Sequence, residues 1–267
     1  MTCAWIVIPT YDEVENVRSL VAAIRAELTA GPSGVDWSIL IVDDNSPDGT
    51  GRVADQLAET QPDVHVLHRP IKAGLADAYT AGFGLALAAG ADYVLEMDAD
   101  FSHNPADLPR MLAVARQGAD VVLGSRYVPG GRVDGWGWKR RLLSRAGGLY
   151  ARAVLGSSIR DLTGGLKCFR ADALRTIGVD SFSAAGYAFQ VETTYRAERA
   201  GLRIEEVPIV FSERRAGRSK MSPAIAAEAL WRIPGMRLTA RRGRTEPTRV
   251  PAGAVHRPLN EAAGEPQ

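Results

Sequence analysis

The stretch that decides the fold is Tyr93–Pro105, YVLEMDADFSHNP, in which an apolar run ends abruptly at Asp98-Ala99-Asp100. The run has the length and composition of a buried strand. The two carboxylates are two residues apart, so in an extended backbone they point to the same side. Neighbouring anions need a nearby cation to stay ionised, and oxygen ligands at a strand end suit Mg²⁺ or Mn²⁺ together with substrate phosphates. Taken alone, the pair fits a solvated turn as well as a metal–diphosphate site.

Apolar strands alternate with helical segments on both sides of this stretch. The predicted strands are Ala4–Ile8 (ended by Pro9), Trp37–Val42, Val64–Leu67, Tyr93–Met97 and Val121–Gly124, and the helices between them are Glu13–Leu28, Arg52–Glu59, Leu75–Ala89 and Asp107–Gln117. Strands that are apolar throughout are typical of a parallel sheet covered on both faces. We therefore predict an α/β fold with a mostly parallel, Rossmann-like sheet and helices on both faces.

Acidic residues follow these strands directly, and they are Glu13, Asp43, Asp44, Asp98 and Asp100. In such sheets ligands bind outside the carboxyl ends of the strands. The five acids are therefore expected at one edge of the sheet, which favours a binding site over scattered surface charge.

The second half of the chain is less regular and carries two amphipathic segments, at about 136–155 and 222–238. The first mixes Trp, Leu and Tyr with five basic residues, and this pattern fits a helix on an anionic membrane surface as well as a helix packed on the domain with a solvated basic face. The basic loop Arg214–Lys220, RRAGRSK, fits a phosphate-binding loop or a solvated charge run. We predict one domain over residues 1–240 and a disordered tail over residues 241–267, which is rich in Arg, Pro, Gly and Ala.

Composition limits the classes of function. A net charge of +1 over 267 residues gives no electrostatic case for nucleic acid as a partner. Two distant cysteines fit a reducing cytoplasm, and neither a signal peptide nor a membrane-spanning apolar run is expected. We expect a soluble or peripheral protein.

The motifs, in this order, resemble those of family 2 glycosyltransferases with the GT-A fold, and more narrowly the polyprenyl-phosphate (dolichyl-phosphate) mannosyltransferases. The resemblance covers about Ile6 to Lys220. Its carriers are PTYDEVEN (9–16), IVDDNSPDGT (41–50), RPIKAGLADAY (69–79), MDADFSHNP (97–105), GSRYVPGG (124–131), TGGLKCFR (163–170), GYAFQVE (186–192) and RRAGRSK (214–220).

The resemblance implies roles for particular residues. Contacts to the nucleoside are implied for Pro9, Tyr11, Glu13, Val42 and Asp44. Asp98, Ala99 and Asp100 would hold Mg²⁺ or Mn²⁺ and the sugar diphosphate, with Ser102 where many family members carry Gln as a further metal or donor contact. Phosphates of donor and acceptor would bind Arg126, Arg214 and Lys220.

The resemblance further implies inverting transfer of mannose from GDP-mannose to polyprenyl phosphate by a peripheral enzyme at the cytoplasmic face of the cell membrane, with a possible membrane-protein partner. A donor of the UDP-glucose type and a non-catalytic nucleotide-binding subunit remain alternatives, although the intact DAD and R-x-x-G-x-S-K motifs argue against the second. His103 beside the DAD loop is expected to make a loop hydrogen bond.

Overall fold

Strands and helices alternate along the computed structural model, which describes residues 2–31, 34–179, 182, 187–214 and 232–238. The strands are β1 (Thr2–Thr10), β2 (Val35–Asp43), β3 (Val64–His68), β4 (Tyr93–Glu96), β5 (Val121–Ser125), β6 (Arg132–Val133), β7 (Lys167–Arg170), β8 (Ile204–Pro208) and β9 (Val210–Phe211). The helices are α1 (Val17–Thr29), α2 (Thr50–Thr60), α3 (Leu75–Ala88), α4 (Asp107–Arg116), α5 (Trp138–Leu155), α6 (Ala171–Ile177) and α7 (Tyr187–Arg199). Residues 232–238 are also helical.

A seven-stranded sheet in the order β3-β2-β1-β4-β7-β5-β8 organises these elements. The pairs β2–β3, β1–β2, β1–β4 and β5–β8 are parallel, whereas β7 runs antiparallel to both of its neighbours, β4 and β5. The carboxyl ends of β1, β2, β4 and β5 therefore open onto one edge of the sheet.

The core lies on both faces of the sheet, because successive residues of a strand point to opposite sides. In β1, Ile6 and Ile8 pack with buried residues of α1, α2 and α4, while Trp5 and Val7 pack with α3, α7 and the end of α5. Gly82 lets α3 approach closely, since a Cβ there would lie 2.4 Å from a methyl group of Val7. This two-faced burial explains why the strands are apolar throughout.

The predicted fold class is confirmed, and the differences from the sequence prediction have local causes. Pro9 does not end β1, which continues to Thr10 by pairing with β2. On its other side, β1 pairs with β4 only as far as Val7. Proline lacks a backbone N–H, but at Pro9 this costs no hydrogen bond to β4, because the pairing has already ended. The small pair β6–β9 and helix α6 were not predicted, and α5 begins at Trp138 rather than at residue 136.

Of the predicted segment 222–238, only residues 232–238 lie within the described chain, and the predicted tail over residues 241–267 lies outside it. Within the described ranges, no helix combines the length and the apolar character that crossing a bilayer requires.

Candidate active site

Three loops at the carboxyl edge of the sheet contain a non-glycine residue in the left-handed region of the backbone. They are Asp12 after β1 (φ 54°), Asn45 after β2 (φ 58°) and Phe101 after β4 (φ 60°). Such residues are uncommon and strained, and they concentrate at functional sites. The predicted acids lie in or next to these same loops. The strained residues and the carboxylates are therefore found together at the carboxyl edge of the sheet.

The two carboxylates of the DAD motif are held by different partners. Asp98 Oδ1 accepts a hydrogen bond of 3.2 Å from the hydroxyl of Tyr79, a buried side chain of α3. Asp100 Oδ1 accepts hydrogen bonds from the backbone N–H (3.0 Å) and the hydroxyl of Ser102. Asp100 Oδ2 lies 3.0 Å from Nε of Arg214. Ser102 therefore orients Asp100, and a positive charge already faces its second oxygen.

The surroundings of Asp98 favour its protonated form. Burial in the protein, followed by the charges of Asp100 and Glu96, raises the pKa of Asp98 to about 7, although Arg214 and the Tyr79 hydroxyl act in the opposite direction. A bound cation would reverse this balance.

The residues present fit a hard divalent cation. Carboxylate and hydroxyl oxygens are the ligands that Mg²⁺ and Mn²⁺ prefer, and Mg²⁺ typically takes one or two protein carboxylates plus substrate phosphates. The guanidinium of Arg214 against Asp100 Oδ2 marks this position as one that accepts a cation. No group of three or more His, Cys, Asp or Glu side chains suited to a metal occurs within the described ranges.

Residues predicted to contact a nucleoside surround the ends of β1 and β2. Asp44 is buried and pairs with Arg69 (Oδ1 to Nη1, 2.6 Å), and the Lys72 ammonium lies 3.4 Å from the centre of the Tyr11 ring. Burial raises the pKa of Asp44, an effect that the charge of Arg69 partly offsets. The carboxylate of Glu13 accepts a hydrogen bond from the side chain of Asn16 (2.8 Å).

Two other predicted nucleoside contacts, Pro9 and Val42, occupy paired positions of β1 and β2. The side chain of Val42 is fully buried and packs towards α3. Ala99, between the two DAD carboxylates, is buried as well.

Arg126, directly after β5, is fixed by a bidentate ion pair. Its Nε and Nη2 donate to the two oxygens of Asp161 (2.8 and 2.7 Å), and Nη2 also donates to the Thr163 hydroxyl (2.7 Å). Burial alone would raise the pKa of Asp161, but the charge and hydrogen bonds of Arg126 hold that pKa below its usual value. Asp161 and Thr163 had not been predicted as partners, since they lie more than thirty residues away in a loop.

Arg126 also lines a cleft of about 580 Å³ between the loop after β5 and α5. Three further arginines, Arg145, Arg152 and Arg160, line the same cleft. The Nε of Arg152 is buried and makes no hydrogen bond to a described residue. The cleft is thus suited to an anionic group.

A buried ion pair lies beneath the DAD motif and was missed from the sequence. Lys167 of β7 lies directly opposite Glu96 of β4, and its Nζ is 2.8 Å from Glu96 Oε1. The same ammonium donates to the side-chain oxygen of Gln190 on α7 and to the Thr193 hydroxyl (3.0 Å). Burial raises the pKa of Glu96, which the charge of Lys167 and the nearby Gln190 amide partly offset. One feature of the sequence could have indicated the pair: Lys167 lies in the motif TGGLKCFR (163–170), which otherwise leads into a buried strand.

His103 follows the DAD loop with its ring packed edge-on against Phe211, at 5.2 Å between centroids. Burial lowers the pKa of His103 to about 4, so the imidazole is neutral near pH 7. Its buried Nδ1 makes no hydrogen bond to a described residue, so the predicted loop hydrogen bond is absent at that atom. Of the predicted phosphate contacts, Arg214 lies against Asp100, and Lys220 lies outside the described residues.

Comparisons with known proteins find similar sequences over most of this chain. The family model described as glycosyl transferase family 2 matches residues 5–178. An undecaprenyl-phosphate mannosyltransferase of Micrococcus luteus is 48% identical over 88% of this chain and 94% of its own length. A polyprenol monophosphomannose synthase of Mycolicibacterium smegmatis is 45% identical over 85% of this chain and 84% of its own.

Solved structures share the fold at lower identity. The glucosyl-3-phosphoglycerate synthase of Mycobacterium tuberculosis in complex with Mn²⁺ and UDP-glucose superposes with a TM-score of 0.62 at 21% identity, covering 92% of this chain and 80% of that one. The same enzyme with Mg²⁺ and UDP gives a TM-score of 0.60 at 19% identity, covering 90% and 79%. The fold of this chain is therefore one that solved proteins also adopt.

Proposed function

This chain is a glycosyltransferase that belongs to glycosyl transferase family 2, and from that premise we propose that it transfers mannose from GDP-mannose to a polyprenyl monophosphate, giving polyprenyl phosphomannose and GDP. The observation that carries the proposal is the 45–48% identity, over most of both chains, to two relatives named for transfer of mannose to a polyprenyl phosphate. The arrangement of carboxylates and arginines at one edge of the sheet supports it.

The donor is proposed to bind across the carboxyl ends of β1, β2 and β4. Its nucleoside would meet Pro9, Tyr11, Glu13, Asp44 and the backbone of Val42. Its diphosphate would meet the DAD motif, with Arg214 and Lys220 as further phosphate contacts. Support comes from the ion pair of buried Asp44 with partly buried Arg69, which is a charged group at the edge where open α/β sheets bind ligands.

Asp98 and Asp100, with Ser102, would hold Mg²⁺ or Mn²⁺. When bound, this cation offsets the negative charge that grows on the leaving diphosphate. Arg214 would then exchange Asp100 for a phosphate oxygen, because the cation and the guanidinium favour the same carboxylate oxygen.

The acceptor phosphate is proposed to bind in the arginine-lined cleft. Arginine binds phosphate oxygens in a fixed two-pronged geometry, and Asp161 already locks Arg126 in one orientation. The cleft borders α5, which exposes the large apolar side chains of Trp138, Leu142, Leu143 and Leu149. A prenyl chain leaving the cleft would meet an apolar surface there.

The reaction is proposed as one direct displacement with inversion. A phosphate monoester is an anion near neutral pH, so it needs no strong base, and its oxygen bonds to the anomeric carbon as the bond to the GDP oxygen breaks. A double displacement would need a carboxylate nucleophile beneath that carbon. Three carboxylates at this edge already have partners: Asp44 has Arg69, Asp98 has Tyr79, and Asp100 has Ser102 and Arg214.

Turnover by the purified protein tests the proposal. With Mn²⁺ and a short-chain polyprenyl phosphate, GDP-mannose is expected to give a β-linked product and UDP-glucose little or none. Asp100→Asn is expected to keep its circular dichroism spectrum and to lose turnover. A preference for UDP-glucose would contradict the donor, and an α-linked product or a trapped mannosyl-enzyme would contradict the displacement.

A further inference from the structure

Three polar side chains from different parts of the chain surround the position where Gly165 lacks a side chain. A Cβ built on Gly165 would lie 3.4 Å from Asp98 Oδ2, 3.5 Å from Gln190 Nε2 and 3.6 Å from the His103 ring. Gly165 and Asp98 are both partly exposed, whereas Gln190 and His103 are 3% and 1% exposed. The space above Gly165 therefore opens outward and has buried polar walls.

The amide of Gln190 is held with its nitrogen towards this space. Its Oε1 accepts a hydrogen bond from Lys167, which Glu96 and Thr193 fix in turn. Its Nε2 is buried and makes no hydrogen bond of standard geometry to any described residue, although it is near enough to Glu96 to offset part of the rise that burial causes in the pKa of that carboxyl. Buried polar groups in native proteins nearly always have a partner, so one left without a protein partner beside a binding edge needs an explanation.

The walls of this space have opposite hydrogen-bonding character. Asp98 Oδ1 is engaged by Tyr79, which leaves Oδ2 facing Gly165 as an acceptor, and Gln190 Nε2 is a donor only. In this space a phosphate oxygen would be repelled by Asp98, and a metal cation would be repelled by the amide hydrogens. The other lone pairs of the Asp98 carboxylate stay available for a metal outside this space. A hydroxyl group satisfies both walls, because it donates one hydrogen bond and accepts others.

We propose that Gln190 is a specificity-determining residue, which receives one hydroxyl of the transferred sugar above Gly165 while that hydroxyl donates to Asp98. This proposal rests on the proposed function, because the sugar that Gln190 would contact is the sugar of the nucleotide donor. It adds Gln190 of α7, which contacts Lys167 of β7, to the site at the end of β4.

Gly165→Ala tests the space itself. The added methyl would meet its neighbours at ordinary van der Waals distances, and the backbone φ of Gly165 is outside the left-handed region, so the variant should fold. We expect the Kd for GDP-mannose, measured calorimetrically with Mn²⁺, to rise about tenfold while the Kd for GDP stays within about twofold. Gly84→Ala, on α3 with no atom near the new methyl, is the matched control. Equal Kd values for GDP-mannose in Gly165→Ala and wild type would overturn the proposal.

Gln190→Met, which conserves volume, tests the hydrogen bond through deoxy analogues of the donor sugar. We expect the wild-type protein to bind one monodeoxy analogue about tenfold more weakly than the parent. In Gln190→Met we expect this difference to shrink to about threefold, because only the hydrogen bond to Asp98 remains. The proposal would be overturned if, for every deoxy position, removing the hydroxyl changed Kd by the same factor in Gln190→Met as in the wild-type protein.

The series is run on whichever of GDP-mannose and UDP-glucose the wild-type protein binds. A preference for UDP-glucose would refute the proposed donor, whereas the deoxy analogues of UDP-glucose would still support or overturn the role of Gln190. Binding of neither nucleotide sugar overturns both proposals.

Discussion

The charge of Asp98 depends on what binds beside it. Burial and the neighbouring charges of Asp100 and Glu96 raise its pKa to about 7, so near neutral pH the carboxyl is divided between protonated and ionised forms. A metal binds only the ionised form. Metal binding and proton release are therefore coupled at this side chain.

We expect Mn²⁺ binding to release protons at pH 6.5 and to release few at pH 8.5. Below pH 7 the Kd for Mn²⁺ should rise by up to about tenfold per pH unit, because protonated Asp98 must first lose its proton. Calorimetric titrations in buffers of different ionisation enthalpy measure the protons released. Asp98→Asn should abolish the release and Asp36→Asn, an exposed control on β2, should retain it. Release that is independent of pH would contradict the assignment.

At the scale of elements, β7 lies between β4 and β5 and contributes a buried ion pair to the core of the sheet. Its Lys167 and Glu96 of β4 are fully buried, and both were taken out of water to form one ion pair. Removing one partner of such a pair leaves an uncompensated buried charge, which is far more costly than removing both.

Lys167→Met should lower the free energy of unfolding by about 3–5 kcal/mol. The double variant Lys167→Met with Glu96→Leu should recover part of this loss, because no buried charge remains. Urea denaturation followed by circular dichroism measures both values. A double variant with a lower free energy of unfolding than Lys167→Met would contradict this expectation. It would mean that Glu96 stabilises the fold even without Lys167.

Helix α5 has one face that is buried against the domain and another that exposes large apolar side chains. Gly148, Ala151 and Leu155 are buried against the domain, whereas Trp138, Leu142, Leu143 and Leu149 are 60–70% exposed. Arg140 is engaged with the Trp136 ring at 4.0 Å and with Glu213 at 3.6 Å. Lys139 and Arg141 are the exposed basic residues beside the apolar face that suit a test of membrane binding.

We expect Leu142→Ser with Leu143→Ser, and separately Lys139→Glu with Arg141→Glu, to reduce co-sedimentation with anionic vesicles by about tenfold or more, because burial of each leucine and attraction to each lipid charge contribute to binding. Arg52→Glu with Arg116→Glu makes the same charge change on α2 and α4 and should bind vesicles like the wild type. Equal co-sedimentation of all variants would contradict a membrane role for α5.

At the scale of the whole molecule, a ligand that binds only the folded chain stabilises all of it. Saturation at one hundred times Kd adds about 2.7 kcal/mol to the free energy of unfolding. For a domain of this size that corresponds to a rise in Tm of roughly 5–11 °C.

GDP with Mn²⁺ is therefore expected to raise Tm by several degrees more than UDP with Mn²⁺ at the same concentration. Gly165→Ala should show the same GDP shift as the wild type, because the altered space lies beside the sugar rather than the nucleotide. Differential scanning calorimetry measures both. A larger shift with UDP would contradict a guanosine nucleotide donor.

The sequence by itself determined the layered α/β sheet and the edge at which its acids lie. Apolar strands such as Tyr93–Glu96 must be covered on both faces, and in parallel strands every carboxyl end lies on the same side. Asp44, Asp98 and Asp100 could be placed at this edge because each directly follows a strand. These features depend on neighbours along the chain, which a pattern of residues records.

The tertiary structure alone decided which distant residues meet. Antiparallel insertion of β7 between β4 and β5 brings Lys167 onto Glu96, 71 residues away, and a loop brings Asp161 onto Arg126. The wall that Asp98, Gln190 and Gly165 form depends on that insertion and on the position of α7. Periodicity indicates which face of an element is buried, but it does not say which strands pair. Strand pairing is chosen by the joint packing of the whole core, so these contacts could be found only in the folded chain.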